Sequence, residues 1–256
     1  MTKKILLILT GPTAIGKSDA AVEYALKTGC DVISADSMQV YRGLDIGTGK
    51  ITKQEMRGIK HHMIDVAEPD EDYSVGKYVY EAEKIIDLQK FPPIICGGTG
   101  LYITSLVLGS DFGGVGKDEA IRNKWKNILA DKGKQYIYEF LEKIDPDSAE
   151  KISVNDTKRV IRAIEIYEIT GTPKSKLVSE NNTKYDAKTV ILYDDDRDAL
   201  YKRINTRVDK MFASGLIDEV ESLMKYENCG SMQAIGYKET IEFLKGKITK
   251  EEAIEK

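Results

Sequence analysis

The chain has 256 residues, 41% hydrophobic and 31% charged, which suits a globular protein able to bury a full core, as one large domain or a core with an insertion. Its longest apolar runs are far too short to span a bilayer, and the five apolar residues after Lys3-Lys4 are too few for a signal peptide, so no membrane partner is expected. A net charge of −4 provides no global basic field for nucleic acid, which leaves a local basic face as the route to such a partner.

The first element is a β-prone run at 5–10. It feeds Gly11-Pro12-Thr13-Ala14-Ile15-Gly16-Lys17-Ser18, a G-x-x-x-x-G-K-[ST] phosphate loop. Average residue usage produces such a string by chance in roughly one chain in a hundred of this length. Asp19 to Lys27 then has helical spacing through Ala21, Val22, Ala25 and Leu26, with a stop at Gly29. Strand, glycine loop and helix are the setting in which backbone N–H groups curl around phosphate oxygens at a helix N-terminus. Lys17 adds a point charge for the terminal phosphates, and the Ser18 hydroxyl suits a phosphate-bound Mg²⁺. The ordinary alternative is a glycine turn with a surface lysine. The expected ligand is a polyphosphate or pyrophosphate group.

The second strand, 31–34, leads into Asp36-Ser37-Met38-Gln39-Val40-Tyr41-Arg42. In a doubly wound sheet the carboxyl ends of the strands face the ligand crevice. Asp36 therefore stands where a general base or metal-binding carboxylate is useful; its ordinary alternative is an N-cap. The glycine-spaced Asp45-Ile46-Gly47-Thr48-Gly49-Lys50 suggests a loop pressed close to a ligand. His61-His62 are the only histidines, too little for a histidine-rich metal site.

The third strand, 93–96, ends in Gly97-Gly98-Thr99-Gly100-Leu101-Tyr102. A hydrolase of this architecture usually ends a core strand in an acidic residue that helps hold Mg²⁺. Glycines and a threonine stand there instead, and Asn123-Lys124 is followed by Trp125-Lys126 rather than by a guanine-reading pattern. This favours a transferase from which pyrophosphate departs over an NTPase in which water attacks. Cys30, Cys96 and Cys229, odd in number and widely spaced, read as reduced cytosolic thiols.

From about Gly113 to Lys188 the chain reads as helix after helix: Asp118 to Leu129, Lys134 to Ile144, and Thr157 to Thr170, which stops at Gly171 before Pro173. A fourth strand is expected at 189–193. The expected fold is α/β, a P-loop NTPase-like parallel-sheet core (1–112 and 188–256) carrying a helical insertion (113–187). Gly113-Gly114 with Gly116 is one expected hinge, and Asn181-Asn182 a second loop. Asp198 to Ala213 is expected to pack on the core through Leu200, Ile204, Val208 and Met211, with Arg203, Arg207 and Lys210 on an adjacent face. Lys158, Arg159 and Arg162 form a similar row. Each row is a solvated face or an anion-binding one, and a phosphate loop elsewhere in the chain adds weight to the second.

Together these residues resemble the tRNA dimethylallyltransferases. The likeness rests on Gly11–Ser18, Asp36–Arg42, Asp45–Lys50, His61-His62-Met63-Ile64-Asp65, Gly97–Tyr102, Arg159-Val160-Ile161-Arg162-Ala163-Ile164-Glu165 and Gln233-Ala234-Ile235-Gly236-Tyr237-Lys238-Glu239, in order over about residues 5 to 240. The resemblance implies transfer of a dimethylallyl group from its diphosphate to N6 of adenine 37 of tRNA, with the insertion gripping the anticodon stem. It further implies that residues Gly11 to Ser18 cradle the diphosphate, with Mg²⁺ held partly through Ser18. Arg207 would neutralise charge on the departing pyrophosphate. Asp36 would accept the N6 proton, helped by a hydrogen bond from Thr99. Asp36, Ser37, Met38, Gln39 and Thr99 would touch the flipped base and its neighbours, as would Lys158, Arg159, Val160, Ile161 and Arg162. A cytoplasmic monomer is expected.

The sequence departs from the family in having Ile51 where a proline is common. Members usually also continue beyond Lys256 through a basic, aromatic-containing helix, of which 250–256 reads as the start; weaker RNA binding with an intact diphosphate site is the expectation. Three other readings remain open on the residues alone. They are an adenylate dimethylallyltransferase, a P-loop small-molecule kinase using ATP, and a non-enzymatic RNA-binding module.

Overall fold

Alternation of side chains along Ile5–Thr10 builds the central strand β1: Leu6 and Ile8 face one side of the sheet, Leu7 and Leu9 the other. The computed structural model describes residues 3–109, 116–177 and 183–256. β2 is Val32–Ser34, β3 His61–His62, β4 Ile94–Cys96 and β5 Asp186–Ile191. All pairings are parallel, in the order β3-β2-β4-β1-β5. Ile8 of β1 lies opposite Ile95 of β4 on one side and Thr189 of β5 on the other.

Three expected strands stand within a residue of their expected bounds. The fourth runs over Asp186–Ile191 instead of 189–193, because its ladder with β1, from Ile5 opposite Asp186 to Thr10 opposite Ile191, sets the span. β5 is an edge strand and mostly exposed, so hydrophobicity marks it poorly. β3, a two-residue edge strand, has no hydrophobic signature at all.

Helices cover both faces. α1 (Lys17–Thr28) sets Ala21 and Ala25 against Leu9, Val32, Ile94 and Cys96. It ends on Gly29, whose φ of 71° closes the last turn with an N–H donated to Ala25 O. The short α2 (Lys53–Met56) begins with a capping box between Thr52 and Glu55. α3 (Val75–Leu88) and α4 (Gly100–Leu108) pack against Leu6, Ile8, Ile33 and Ile95, with Tyr78 stacked on Tyr102 at 4.1 Å between ring centroids.

The chain divides into two compact units: residues up to Val107 with Lys184–Lys256, and Leu108–Thr183. The second is all helical among its described residues. α5 (Glu119–Ile144) is broken at Gly133, whose φ of 81° and ψ of 171° are not helical, so it comprises the two helices expected on either side of that point. α6 (Pro146–Lys151), α7 (Thr157–Thr170) and α8 (Lys174–Leu177) follow. Trp125, Ile137, Leu141, Val160, Ile161 and Ile164 form this unit's core. The expected hinge at Gly113-Gly114 and the loop at Asn181-Asn182 lie outside the described residues.

After β5, α9 (Arg197–Ala213) departs from expectation: none of its residues is buried, and Leu200, Ile204, Val208 and Met211 are only half-covered. α10 (Leu216–Ser222), α11 (Tyr237–Leu244) and α12 (Lys250–Glu255) complete the first unit, with Leu216, Val220, Tyr237 and Ile241 in its main core.

Candidate active site

The phosphate loop leaves β1 through Gly11, where φ is 151° and an added Cβ would stand 2.4 Å from Leu192 O just past β5. Ala14 and Gly16 also take positive φ, 62° and 88°. This winding turns the loop into the N-terminus of α1, whose first hydrogen bond in sequence runs from Ala20 N to Gly16 O. The N–H groups of Lys17, Ser18 and Asp19 precede that bond, as an anion site requires. Lys17 Nζ lies across the loop, donating to Gly11 O at 2.9 Å and Pro12 O at 2.7 Å. Burial holds its ammonium below the ordinary lysine value, with the Arg207 cation adding to the effect and Asp36 opposing it. Lys17, Asp36 and Arg207 thus share one electrostatic neighbourhood.

Asp36 follows β2. Its Oδ1 accepts from Met38 N at 2.9 Å and Gln39 N at 3.3 Å, so the capping role is real. Only one oxygen is spent on it: among the described residues Oδ2 makes no hydrogen bond. Thr99 makes no hydrogen bond to Asp36 among the described residues. Its Oγ1 accepts from Ser37 N at 2.9 Å and lies 3.3 Å from Ser37 Oγ, so it holds the residue next to Asp36 rather than Asp36 itself. Gly97 has a packing reason, since a Cβ there would sit 2.2 Å from Ala35 O. Cys96, at the end of β4, is inert as a nucleophile: burial pushes its thiol up to about 11, with Asp36 in the same direction and Lys17 against it.

Arg207, on α9, reaches this neighbourhood by lying against the 45–50 loop. Its Nη2 donates to Thr48 O at 3.0 Å, and an added Cβ at Gly49 would stand 2.0 Å from that nitrogen. Gln39 reaches the same loop, its Nε2 at 3.5 Å from both Thr48 O and Gly49 O. Arg203, in the same row, is engaged elsewhere, paired to Asp194 at 2.6 Å.

In the second unit, Val160 and Ile161 differ from their basic neighbours on α7. Both side chains are buried in that unit's core, at 0% and 7% exposure, which leaves side-chain contact from this segment to Lys158, Arg159 and Arg162. Lys158 and Arg159 are exposed at the start of α7, beside an open hollow lined by Ser153, Asn155, Asp156, Thr157 and Lys158. Arg159 pairs with Asp156 at 3.2 Å and Arg162 with the wholly buried Glu165 at 2.8 Å. Residue-type reasoning missed Glu165, although its place three positions after Arg162 on one helix is the signal that pairs them. It also missed Glu219, which contacts the 45–47 backbone from far along the chain.

The family described as IPP transferase matches residues 39–256, and that described as Isopentenyl transferase matches residues 4–71. The chain is 46% identical to the tRNA dimethylallyltransferase of Caldanaerobacter subterraneus subsp. tengcongensis, over 98% of this chain and 83% of that protein. It is 43% identical to that of Oceanobacillus iheyensis, over 99% and 83%. Among solved structures it is similar to the tRNA delta(2)-isopentenylpyrophosphate transferase of Staphylococcus epidermidis, with a TM-score of 0.69 and 41% identity over 99% of this chain and 84% of that one. A eukaryotic dimethylallyltransferase acting on tRNA matches at a TM-score of 0.82 and 31% identity, over 98% of this chain and 65% of its own.

Proposed function

The chain belongs to the IPP transferase family of tRNA dimethylallyltransferases, and from that premise we propose that it moves a dimethylallyl group from dimethylallyl diphosphate to N6 of adenine 37 in the anticodon stem-loop of tRNA. The observation that carries this reading is the phosphate loop wound into the N-terminus of α1 with Lys17 laid across it, together with Asp36 after β2, whose carboxylate spends only one oxygen on its own turn.

In the reaction, the bond from C1 of the dimethylallyl group to the diphosphate oxygen breaks as N6 bonds to C1. The electron pair leaves with the diphosphate, whose growing charge falls on Lys17, Arg207 and the N–H groups from Thr13 to Ser18. The N6 proton passes to Asp36 Oδ2, the oxygen not spent on the Met38 and Gln39 amides. A positioned base of this kind contributes ~10²–10⁴-fold. Thr99 acts one step back, holding Ser37 and so the segment that carries Asp36. The target adenine reaches the site only by leaving its stack, at a cost of a few kcal/mol. Lys158, Arg159 and Arg162 are the proposed insertion contacts to the RNA.

The donor set suits Mg²⁺. Ser18 is exposed at the helix N-terminus, and its hydroxyl makes no hydrogen bond among the described residues. No group of three or more His, Cys, Asp and Glu that could hold a metal exists among them, so Ser18, substrate phosphate oxygens and water would complete the shell. When bound, the ion supplies charge neutralisation on the diphosphate. No helix among the described residues is long and apolar enough to cross a membrane; a monomer working in the cytoplasm is the proposed form.

The test is to incubate the protein with labelled dimethylallyl diphosphate and an anticodon stem-loop with adenine at position 37, AMP, or no acceptor. Label in the stem-loop is the expected result. Label in AMP alone overturns the tRNA assignment, and phosphoryl transfer from ATP in a parallel incubation, without prenyl transfer, favours the kinase reading.

A further inference from the structure

Asp45–Lys50 and Gln233–Glu239 meet at Glu219 of α10. Asp45 N and Ile46 N donate to Glu219 Oε2 at 3.1 and 2.7 Å, and Gly47 N donates to Oε1 at 3.1 Å. The Tyr237 hydroxyl donates to the same Oε1 at 2.5 Å. Three successive amides wrapped around one carboxylate make a nest, here filled by the protein's own anion. Gly47 is required because a Cβ would stand 2.4 Å from the Tyr237 ring. At its far end the loop is closed by Lys50, which donates to Tyr41 O, Asp45 and Asp65. Between these two anchors lie the Thr48 carbonyl that receives Arg207 and the bare Gly49 surface on which its guanidinium rests.

A long arginine side chain loses rotamer freedom when fixed, so a rigid acceptor prepared beforehand makes transition-state stabilisation more effective. We infer that Glu219 is a positioning residue for the transfer: by gripping the 45–47 amides it sets the Thr48 carbonyl and Gly49, and through them aims the Arg207 guanidinium at the departing diphosphate. This rests on the role given to Arg207 above. Tyr237 acts in the same line by orienting the Glu219 carboxylate. Glu219→Gln keeps the shape but turns one acceptor into a donor facing backbone N–H groups, so the nest opens.

The experiment is a double-mutant cycle of Glu219→Gln with Arg207→Ala, read by kcat and by calorimetric binding of inorganic pyrophosphate. A displacement of the order of 1 Å costs about a hundredfold, so Glu219→Gln alone is expected to lower kcat by about ten- to a hundredfold, to weaken pyrophosphate binding, and to leave KM for the RNA unchanged. In the Arg207→Ala background the same substitution is expected to have little further effect, because residues acting as one unit are not additive. A full penalty persisting in that background overturns the inference. If Arg207→Ala alone leaves turnover and pyrophosphate binding intact, the role of Arg207 fails first. Tyr237→Phe, which keeps the carboxylate and removes one hydrogen bond, runs through the same cycle should Glu219→Gln not fold; a smaller loss that also vanishes with Arg207→Ala supports the inference, and a loss unaffected by it overturns the inference.

Discussion

Thr99 and Ser37 tie the ends of two neighbouring strands together at the candidate active site. Thr99 Oγ1 accepts from Ser37 N at 2.9 Å and donates to Ser37 Oγ at 3.3 Å, while Thr99 N donates to Ala35 O at 3.0 Å. Asp36 lies between the two residues that Thr99 grips. Its position relative to the phosphate loop is therefore set by β2 and β4 jointly, not by its own turn.

Thr99→Val retains the shape and removes the hydroxyl. It is expected to reduce kcat about tenfold while leaving dimethylallyl diphosphate affinity unchanged, since a loosened base costs rate without touching the phosphate site. Thr99→Ser restores the rate. Steady-state kinetics on a stem-loop substrate measure both; a normal kcat for Thr99→Val removes Thr99 from the positioning of Asp36.

Asp36→Asn keeps an Oδ1 acceptor for the Met38 and Gln39 amides, so the turn survives. Only the basic oxygen is lost. Turnover is expected to fall by ~10²–10⁴-fold with diphosphate binding retained. Near-normal single-turnover rates for this variant would show that the proton goes elsewhere.

Diphosphate affinity is expected to depend on alkaline pH through Lys17. The protonated ammonium is the binding form, and burial holds its pKa below the ordinary 10.5 in the free protein. As pH rises through that lowered value the charge is lost and binding weakens, so the decline begins earlier than an exposed lysine would give. Titrating dimethylallyl diphosphate without acceptor above about pH 8 measures this, and Lys17→Arg, charged throughout, is expected to flatten the curve. An equal decline in both proteins excludes Lys17 as its source.

Glu165 holds the second unit together. Its side chain is 0% exposed and accepts from Asp118 N at 2.8 Å, Arg122 Nε at 2.9 Å and Arg162 Nη1 at 2.8 Å. Breaking a buried ion pair costs about 3–5 kcal/mol, and because the two arginines are 25% and 28% exposed the lower end applies to Glu165→Ala. Trp125, the only tryptophan, is buried in this unit and reports its unfolding by fluorescence. An unshifted denaturation midpoint would leave Glu165 without a stabilising part.

What the residues alone determined is local. The strand, glycine loop and helix at 5–28, the stop of α7 and the break between the two halves of α5 are all written within a few positions, where hydrophobic period and capping chemistry act. The phosphate loop and the carboxylate at Asp36, on which the proposed diphosphate chemistry and base rest, are legible for the same reason. Tertiary structure decided the rest. The span of β5 comes from its ladder with β1, and the burial of Val160 and Ile161 from packing against α5. Arg207 meets Thr48 across 159 positions, and Glu219 meets Ile46 across 173. Neither partner carries a local signal of the other: long-range pairs form only when the sheet has closed the chain between them, and that closure is a property of the whole fold.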